Sequence, residues 1–216
     1  MLVYIRPATT IYTVYGSIHI LGDSFSGGLY ATAGHAYRDL LLTSLQGVNA
    51  GMGATSWSSH AITGGKLVTQ TSDLPGALGV FYDPDLILLA MGQNDVTAAE
   101  TSANFRSAAE QVLDYAQGTM QVPILVVAIP FQPGWAGATL TRAQAFNAIL
   151  QEEATERNIP YLPSWEDALT SDGLSQAGDV PDEATAGDSY HPNNFGHRQL
   201  HDALWADFEP YLYVPL

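Results

Sequence analysis

The sequence predicts an α/β fold: a three-layer α/β/α domain around a parallel sheet of about five strands. Short apolar runs predict buried strands at residues 17–21, 47–49, 85–91, 123–129 and 159–162. Longer stretches with helical spacing lie at residues 35–45, 101–116, 141–157 and 194–208. Strands that alternate with helices in this way are typical of a parallel sheet. Because ligands bind beyond the carboxyl ends of such strands, the residues after each apolar run are the candidates for chemistry.

The length of 216 residues, with 46% of them apolar, supports a single domain with a substantial core. Residues 17–216 are expected to form that domain. Residues 1–16 alternate Val, Ile, Tyr and Thr around Pro7, which predicts an edge strand or hairpin, or else a linker. The stretch 171–188 combines Gly, Pro, Ser and acidic residues without helical period, so we expect a surface loop there.

The charge balance argues against nucleic-acid binding. Only 7 residues are Lys or Arg, against 22 Asp or Glu, so the negative surface disfavours nucleic acid as a partner.

The absence of cysteine excludes disulfides, thiolate nucleophiles and cysteine-bound metals. No apolar run reaches transmembrane length, so we expect a soluble protein with no membrane partner, and the composition suits a secreted protein whose signal has been removed. The oligomeric state is left open.

Two of the candidate positions after apolar runs carry side chains that suit acyl transfer. Ser24 follows the first run within Gly22-Asp23-Ser24, where a hydroxyl lies at the rim of the sheet, although such a tripeptide also ends many strands. Asn94 follows the third run and offers a side-chain amide to a substrate oxygen. Its neighbour Asp95 is better suited to capping the helix that begins there.

The run at 47–49 leads into a glycine-rich loop that contains Gly51 and Gly53. A glycine lets the backbone N–H approach a substrate oxygen on which negative charge develops, although an ordinary turn also explains such a loop. Near the C-terminus, Asp188 precedes His191 by three residues. A local turn can bring this carboxylate to one ring nitrogen, which leaves the other nitrogen to act as a general base.

Together the four segments resemble the SGNH hydrolases, or GDSL-type esterases, over residues 18 to about 208. The resemblance implies the flavodoxin-like fold of that family and a serine esterase. It assigns Ser24 as nucleophile, His191 as base and Asp188 as the residue that orients the histidine. The oxyanion hole would comprise the backbone N–H groups of Ser24 and Gly53, with Gly51 as the alternative to Gly53, and the side chain of Asn94.

The implied reaction needs neither a metal nor an organic cofactor, and its substrate would be a small-molecule or carbohydrate ester. The segment His191-Pro192-Asn193 most resembles the carbohydrate esterases of the family, which favours a short-chain acyl ester and a carbohydrate O-acetyl esterase. Aromatic residues expected on loops after strand ends, or beside the histidine, are candidates for substrate binding: Trp57, Phe131, Trp135 and Tyr190. Each is equally compatible with anchoring its loop in the core.

Three alternatives remain at this stage. A lipase or thioesterase would share the catalytic residues, but we find no amphipathic segment between the motifs that would serve as a lid. A non-catalytic carbohydrate-binding or structural module on the same fold would be free to lose these residues. A phosphate or sulfate ester hydrolase would call for a metal cluster or a basic clamp near the serine, and neither is evident.

Overall fold

The computed structural model describes residues 2–5, 10–14, 16–48, 56–174 and 190–215. Its strands are β1 (Leu2–Ile5), β2 (Thr10–Val14), β3 (Ser17–Gly22), β4 (Ser56–Ala61), β5 (Leu86–Ala90), β6 (Ile124–Val127), β7 (Tyr161–Leu162) and β8 (Tyr213–Pro215). Its α-helices are α1 (Ser24–Gly27), α2 (Tyr37–Val48), α3 (Leu67–Gln70), α4 (Leu74–Ala77), α5 (Gln93–Thr97), α6 (Ser102–Asp114), α7 (Gly137–Glu156) and α8 (Asn194–Phe208).

The central sheet has five parallel strands in the order β4-β3-β5-β6-β7. Strand β5 lies in the middle, and all of its side chains are buried because both faces of the sheet are covered. Ile87 and Leu89 pack on one face, while Leu86 and Leu88 pack on the other. This double burial explains why the strand is a continuous apolar run, as is typical of parallel sheets.

Helices cover the two faces of the sheet in separate layers. One apolar cluster joins the sheet to α3, α4, α6 and α7. The second cluster joins it to α2 and α8, which pack against each other. The three-layer α/β/α architecture predicted from the sequence is therefore confirmed.

One predicted strand is wrong. Residues 47 and 48 form the last turn of α2, and the strand that neighbours β3 is β4, several residues further along the chain. As an edge strand, β4 pairs only with β3 and has exposed or half-buried side chains. Its sequence Ser-Trp-Ser-Ser-His-Ala therefore lacks the apolar run that marks a central strand.

The register of the three strands that precede the candidate residues places their carboxyl ends side by side. Gly22 of β3 pairs with Ala61 of β4 on one side and with Ala90 of β5 on the other. The segments that follow these three residues consequently meet at a single edge of the sheet.

A second sheet is antiparallel, with the order β1-β2-β8, and joins the two ends of the chain. The boundary at residue 16 remains a prediction. Among the described residues, no helix is both long and apolar enough to cross a membrane.

Candidate active site

Ser24 lies directly beyond β3, at the first position of the short helix α1. The side chain of Asp23 caps this helix by accepting a hydrogen bond from the N–H of Phe25 at 3.0 Å. A Cβ on Gly22 would lie 2.0 Å from Oγ of Ser26, so only glycine allows this tight passage from strand to helix. The turn holds Ser24 in one position, with only 3% of the residue exposed.

His191 reaches Ser24 from the other end of the chain. Its Nε2 lies 2.8 Å from Oγ of Ser24, although 167 residues separate the two. The contact is a hydrogen bond of the length needed for transfer of the hydroxyl proton to the imidazole. The structure therefore brings together the nucleophile and base suggested by the sequence.

Three aromatic rings surround the imidazole of His191. Tyr190 and Phe25 make edge contacts with it, with ring centroids 5.1 and 5.8 Å away, and Tyr30 lies at 5.7 Å. Tyr30 has a φ of 62°, a left-handed conformation that is uncommon for a residue other than glycine and often occurs near functional sites. Tyr30 could not be identified from the sequence, because neither spacing nor a motif marks it.

The segment that carries His191 is anchored on both sides. Asn193 caps α8 by accepting a hydrogen bond from the N–H of Gly196 at 2.9 Å. Asn194 binds Thr32 twice: it accepts from the backbone N–H and donates to the hydroxyl, each at 2.9 Å. These contacts link the histidine segment to the loop after α1 and limit movement of the imidazole relative to Ser24.

Asn94 lies in the first turn of α5, beyond the end of β5. Its Nδ2 donates one hydrogen bond to the carbonyl of Gly65 at 3.0 Å. A side-chain amide has two hydrogens, so the second remains available to a substrate oxygen. Gly64 and Gly65 follow β4, so these glycines, rather than Gly51 or Gly53, follow the strand beside β3.

Asp95 does not cap its own helix, contrary to the sequence prediction. No side chain caps α5. The carboxylate of Asp95 instead accepts hydrogen bonds from the N–H groups of Leu67 and Val68, at 2.7 and 3.2 Å. These two residues begin α3. Burial raises the pKa of this carboxyl to about 6.

Three residues assigned from the sequence lie outside the described residues: Asp188, Gly51 and Gly53. Their roles remain predictions. The strand predicted at 47–49, beyond which Gly51 and Gly53 were expected to lie, is wrong, because residues 47 and 48 are helical.

The aromatic candidates for substrate binding are positioned differently from one another. Trp57 does not follow a strand, contrary to expectation: it lies within β4, paired with Ile18, and the guanidinium of Arg38 is 4.4 Å from its ring centroid. Phe131 and Trp135 do lie beyond β6, but both are half-buried and pack against the core. Tyr190 makes an edge contact with His191.

Asp23 is a buried acid beside Ser24. Burial raises the pKa of its carboxyl to about 7, and the nearby charge of Asp95 acts in the same direction. The folded protein therefore holds this proton more tightly than the unfolded chain does. The resulting stabilisation is fully present below the ordinary pKa of 3.8 and is lost as the pH rises through about 7.

We expect Asp23→Asn to weaken the pH dependence of stability. Asparagine caps a helix as well as aspartate but does not ionise. As the pH rises from about 5 to about 8, the free energy of unfolding of wild type should fall by on the order of 2 kcal/mol more than that of the variant. Urea unfolding at the two pH values measures this difference. Parallel pH dependence in the two proteins would show that the Asp23 carboxyl is not perturbed.

Within the described residues, no group of three or more His, Asp or Glu side chains is placed to hold a metal ion. The candidate residues that the structure describes supply a hydroxyl, an imidazole, a side-chain amide and backbone N–H groups. This combination can supply a nucleophile, a base and hydrogen-bond donors to an oxyanion.

Several solved structures share the fold across most of their length. EstA, a psychrotrophic esterase from Pseudoalteromonas sp., has a TM-score of 0.68 at 16% identity, covering 91% of this chain and 98% of its own. A variant of Axe2, an acetyl xylan esterase from Geobacillus stearothermophilus, has a TM-score of 0.66 at 16% identity, covering 89% and 94%. A lipase/acylhydrolase from Enterococcus faecalis has a TM-score of 0.66 at 17% identity, covering 93% and 98%.

No curated protein sequence matches the chain. The GDSL-like lipase/acylhydrolase family, in contrast, matches residues 20–199, which include Ser24, Asn94 and His191. The chain is a carboxylic ester hydrolase that belongs to the GDSL-like lipase/acylhydrolase family.

Proposed function

We propose that the protein is a serine esterase that removes short acyl groups through an acyl-enzyme, and that its natural substrate is an O-acetylated carbohydrate. The observation that carries the mechanism is the 2.8 Å contact between Ser24 Oγ and His191 Nε2 at the carboxyl edge of the sheet. The intact pair argues against the non-catalytic alternative.

In the proposed reaction, Ser24 Oγ attacks the ester carbonyl while His191 Nε2 accepts the hydroxyl proton. The tetrahedral intermediate collapses, the imidazolium returns the proton to the departing alcohol, and the acyl group remains on the serine. Water, activated by His191, then releases the acid and regenerates Ser24. Asp188 would orient the imidazole and stabilise its charged form.

The developing oxyanion needs fixed N–H donors. We assign the second hydrogen of Asn94 Nδ2, the backbone N–H of Ser24 and the backbone N–H of Gly64 to this role. Gly64 replaces Gly53 in the assignment because it lies beyond the strand beside β3. Gly64 is exposed, and within the described part of the chain no acceptor is recorded for its N–H.

The preference for a short acyl group is supported by the crowding of His191 by Phe25, Tyr30 and Tyr190, with ring centroids 5.1 to 5.8 Å from the imidazole. The assignment of a carbohydrate substrate is supported by the resemblance of the His191-Pro192-Asn193 segment to carbohydrate esterases and by the fold shared with an acetyl xylan esterase. These two observations suggest a small acyl group carried by a polar alcohol.

A second candidate is a hydrolase of longer acyl chains. Two apolar side chains near the nucleophile favour it: Leu29, whose N–H donates to the carbonyl of Ser24, is 37% exposed, and Ile62, which directly follows β4, is 41% exposed. Exposed apolar side chains at such a position would bind a hydrocarbon chain.

Initial rates on p-nitrophenyl acetate, butyrate and octanoate distinguish the two candidates. For a short-chain esterase we expect kcat/KM to be highest on acetate and roughly tenfold or more lower on octanoate. Release of acetate from acetylated xylan tests the carbohydrate assignment. A preference for octanoate would favour the second candidate, and no activity on any ester would contradict the proposal.

A further inference from the structure

The loop after β4, residues 62–66, has a defined internal structure, and we refer to it as the Gly64 loop. The N–H of Gly65 donates to the carbonyl of Ile62 at 2.8 Å, which closes a four-residue turn. Gly64, at the third position of this turn, has a φ of 73°, the left-handed conformation that a type II turn requires there. The turn occupies the N–H of Gly65 and leaves the N–H of Gly64 at the exposed tip.

The main contacts that fix this loop come from α5 and the residues just after it. Asn94 Nδ2 donates to the carbonyl of Gly65 at 3.0 Å. Asp95 binds the residues directly after the loop, and each of its carboxylate oxygens accepts one backbone N–H. Lys66 Nζ lies 2.5 Å from a carboxylate oxygen of Glu100, and this ion pair connects the end of the loop to the residues after α5.

Asn94 and Asp95 are thus consecutive residues with complementary tasks. Asn94 supplies one proposed oxyanion donor, and Asp95 holds the segment that supplies another. Both oxygens of Asp95 are used, and the residue is fully buried. A hydrogen bond between a carboxylate and a backbone N–H is about twice as strong as one between neutral groups.

We propose that Asp95, assisted by the Lys66–Glu100 pair, is a positioning residue that holds the N–H of Gly64 at the distance from Asn94 at which both bind one oxyanion. This inference rests on the proposed function. Loosening the loop should impair the transition state more than substrate binding, because the oxyanion develops only during the reaction.

The chain contains a matched control for Asp95. Asp85 lies just before β5, at the opposite end of the same sheet, and its Oδ2 accepts hydrogen bonds from the N–H groups of Gly16 and Ser17 at 2.8 and 3.1 Å. Both aspartates therefore accept hydrogen bonds from two consecutive backbone N–H groups, Asp95 from a buried position and Asp85 from an exposed one. Only Asp95 does so beside the candidate active site.

We expect Asp95→Asn to lower kcat for p-nitrophenyl acetate about 10- to 100-fold and to change KM by less than about threefold, since small misplacements of catalytic groups are costly. Asp85→Asn should lower the melting temperature but keep kcat within about twofold of wild type. A folded Asp95→Asn variant with wild-type kcat would overturn the inference. Equal losses of kcat in the two variants would also overturn it.

Lys66→Ala provides a second test if Asp95→Asn does not fold, because this side chain is partly exposed. It should lower kcat a few-fold with KM unchanged, and an unchanged kcat would overturn the inference. Wild type is assayed in parallel. A wild type inactive on every ester would defeat the proposed function, whereas an active wild type with unaffected variants would defeat this inference alone.

Discussion

Replacing Ser24 by alanine should lower kcat for p-nitrophenyl acetate by roughly 10⁴-fold or more, because the variant has no hydroxyl to form the acyl-enzyme. The fold should be retained, since the Asp23 cap of α1 does not involve this side chain. Initial rates, together with mass spectrometry of the protein after reaction with an organophosphate ester, measure the effect. Wild type should gain one adduct on Ser24, and the variant should gain none.

Ser26→Ala is the matched control, two residues further along α1. Oγ of Ser26 lies 2.6 Å from the buried hydroxyl of Tyr37, so its loss should cost about 1 to 3 kcal/mol in free energy of unfolding. Turnover should stay within a few-fold of wild type. Comparable loss of turnover in both variants would show that disturbance of α1, rather than loss of the nucleophile, explains the effect at Ser24.

Asn94→Ala should lower kcat by roughly 10²- to 10³-fold, which corresponds to about 3 to 4 kcal/mol of transition-state stabilisation. The reason is the loss of the hydrogen that Asn94 Nδ2 can direct at the oxyanion. KM should change little, because the interaction strengthens only as negative charge develops on the substrate oxygen. Steady-state kinetics on p-nitrophenyl acetate separate the two parameters.

Thr97→Ala controls for disturbance of α5, since Thr97 is exposed on the same helix and its hydroxyl donates to the backbone carbonyl of Asn94, not to its side chain. We expect wild-type kinetics for this variant. Unchanged kcat in Asn94→Ala would remove Asn94 from the mechanism and leave its bond to Gly65 as a structural contact.

The central strands were predictable because burial on both faces imposes a continuous apolar run. The runs at 85–91 and 123–129 contain β5 and β6, with ends that differ by only a few residues. The helix predicted at 194–208 coincides with α8. In these elements the residues that the local pattern requires are also the apolar residues that the buried position requires.

The edge strand was not predictable in the same way. Strand β4 is half-buried and rich in serine, so its sequence contains no apolar run. The short apolar run at 47–49 was therefore predicted as the strand instead, although residues 47 and 48 belong to α2. Gly53 was expected to lie beyond the strand next to β3, whereas the glycines that follow β4 are Gly64 and Gly65. Pairing with β3, a contact across some 40 residues, defines this strand.

The sequence by itself determined the α/β class and the candidate residues Ser24, Asn94 and His191, because strand ends and short motifs are local features of the chain. Tertiary structure alone decided that Gly64 and Gly65 follow the strand beside β3, that Tyr30 packs on His191, and that Asp95 anchors a neighbouring loop. These relations join segments far apart in the chain. They depend on strand order and side-chain packing, which a local pattern of residues does not encode.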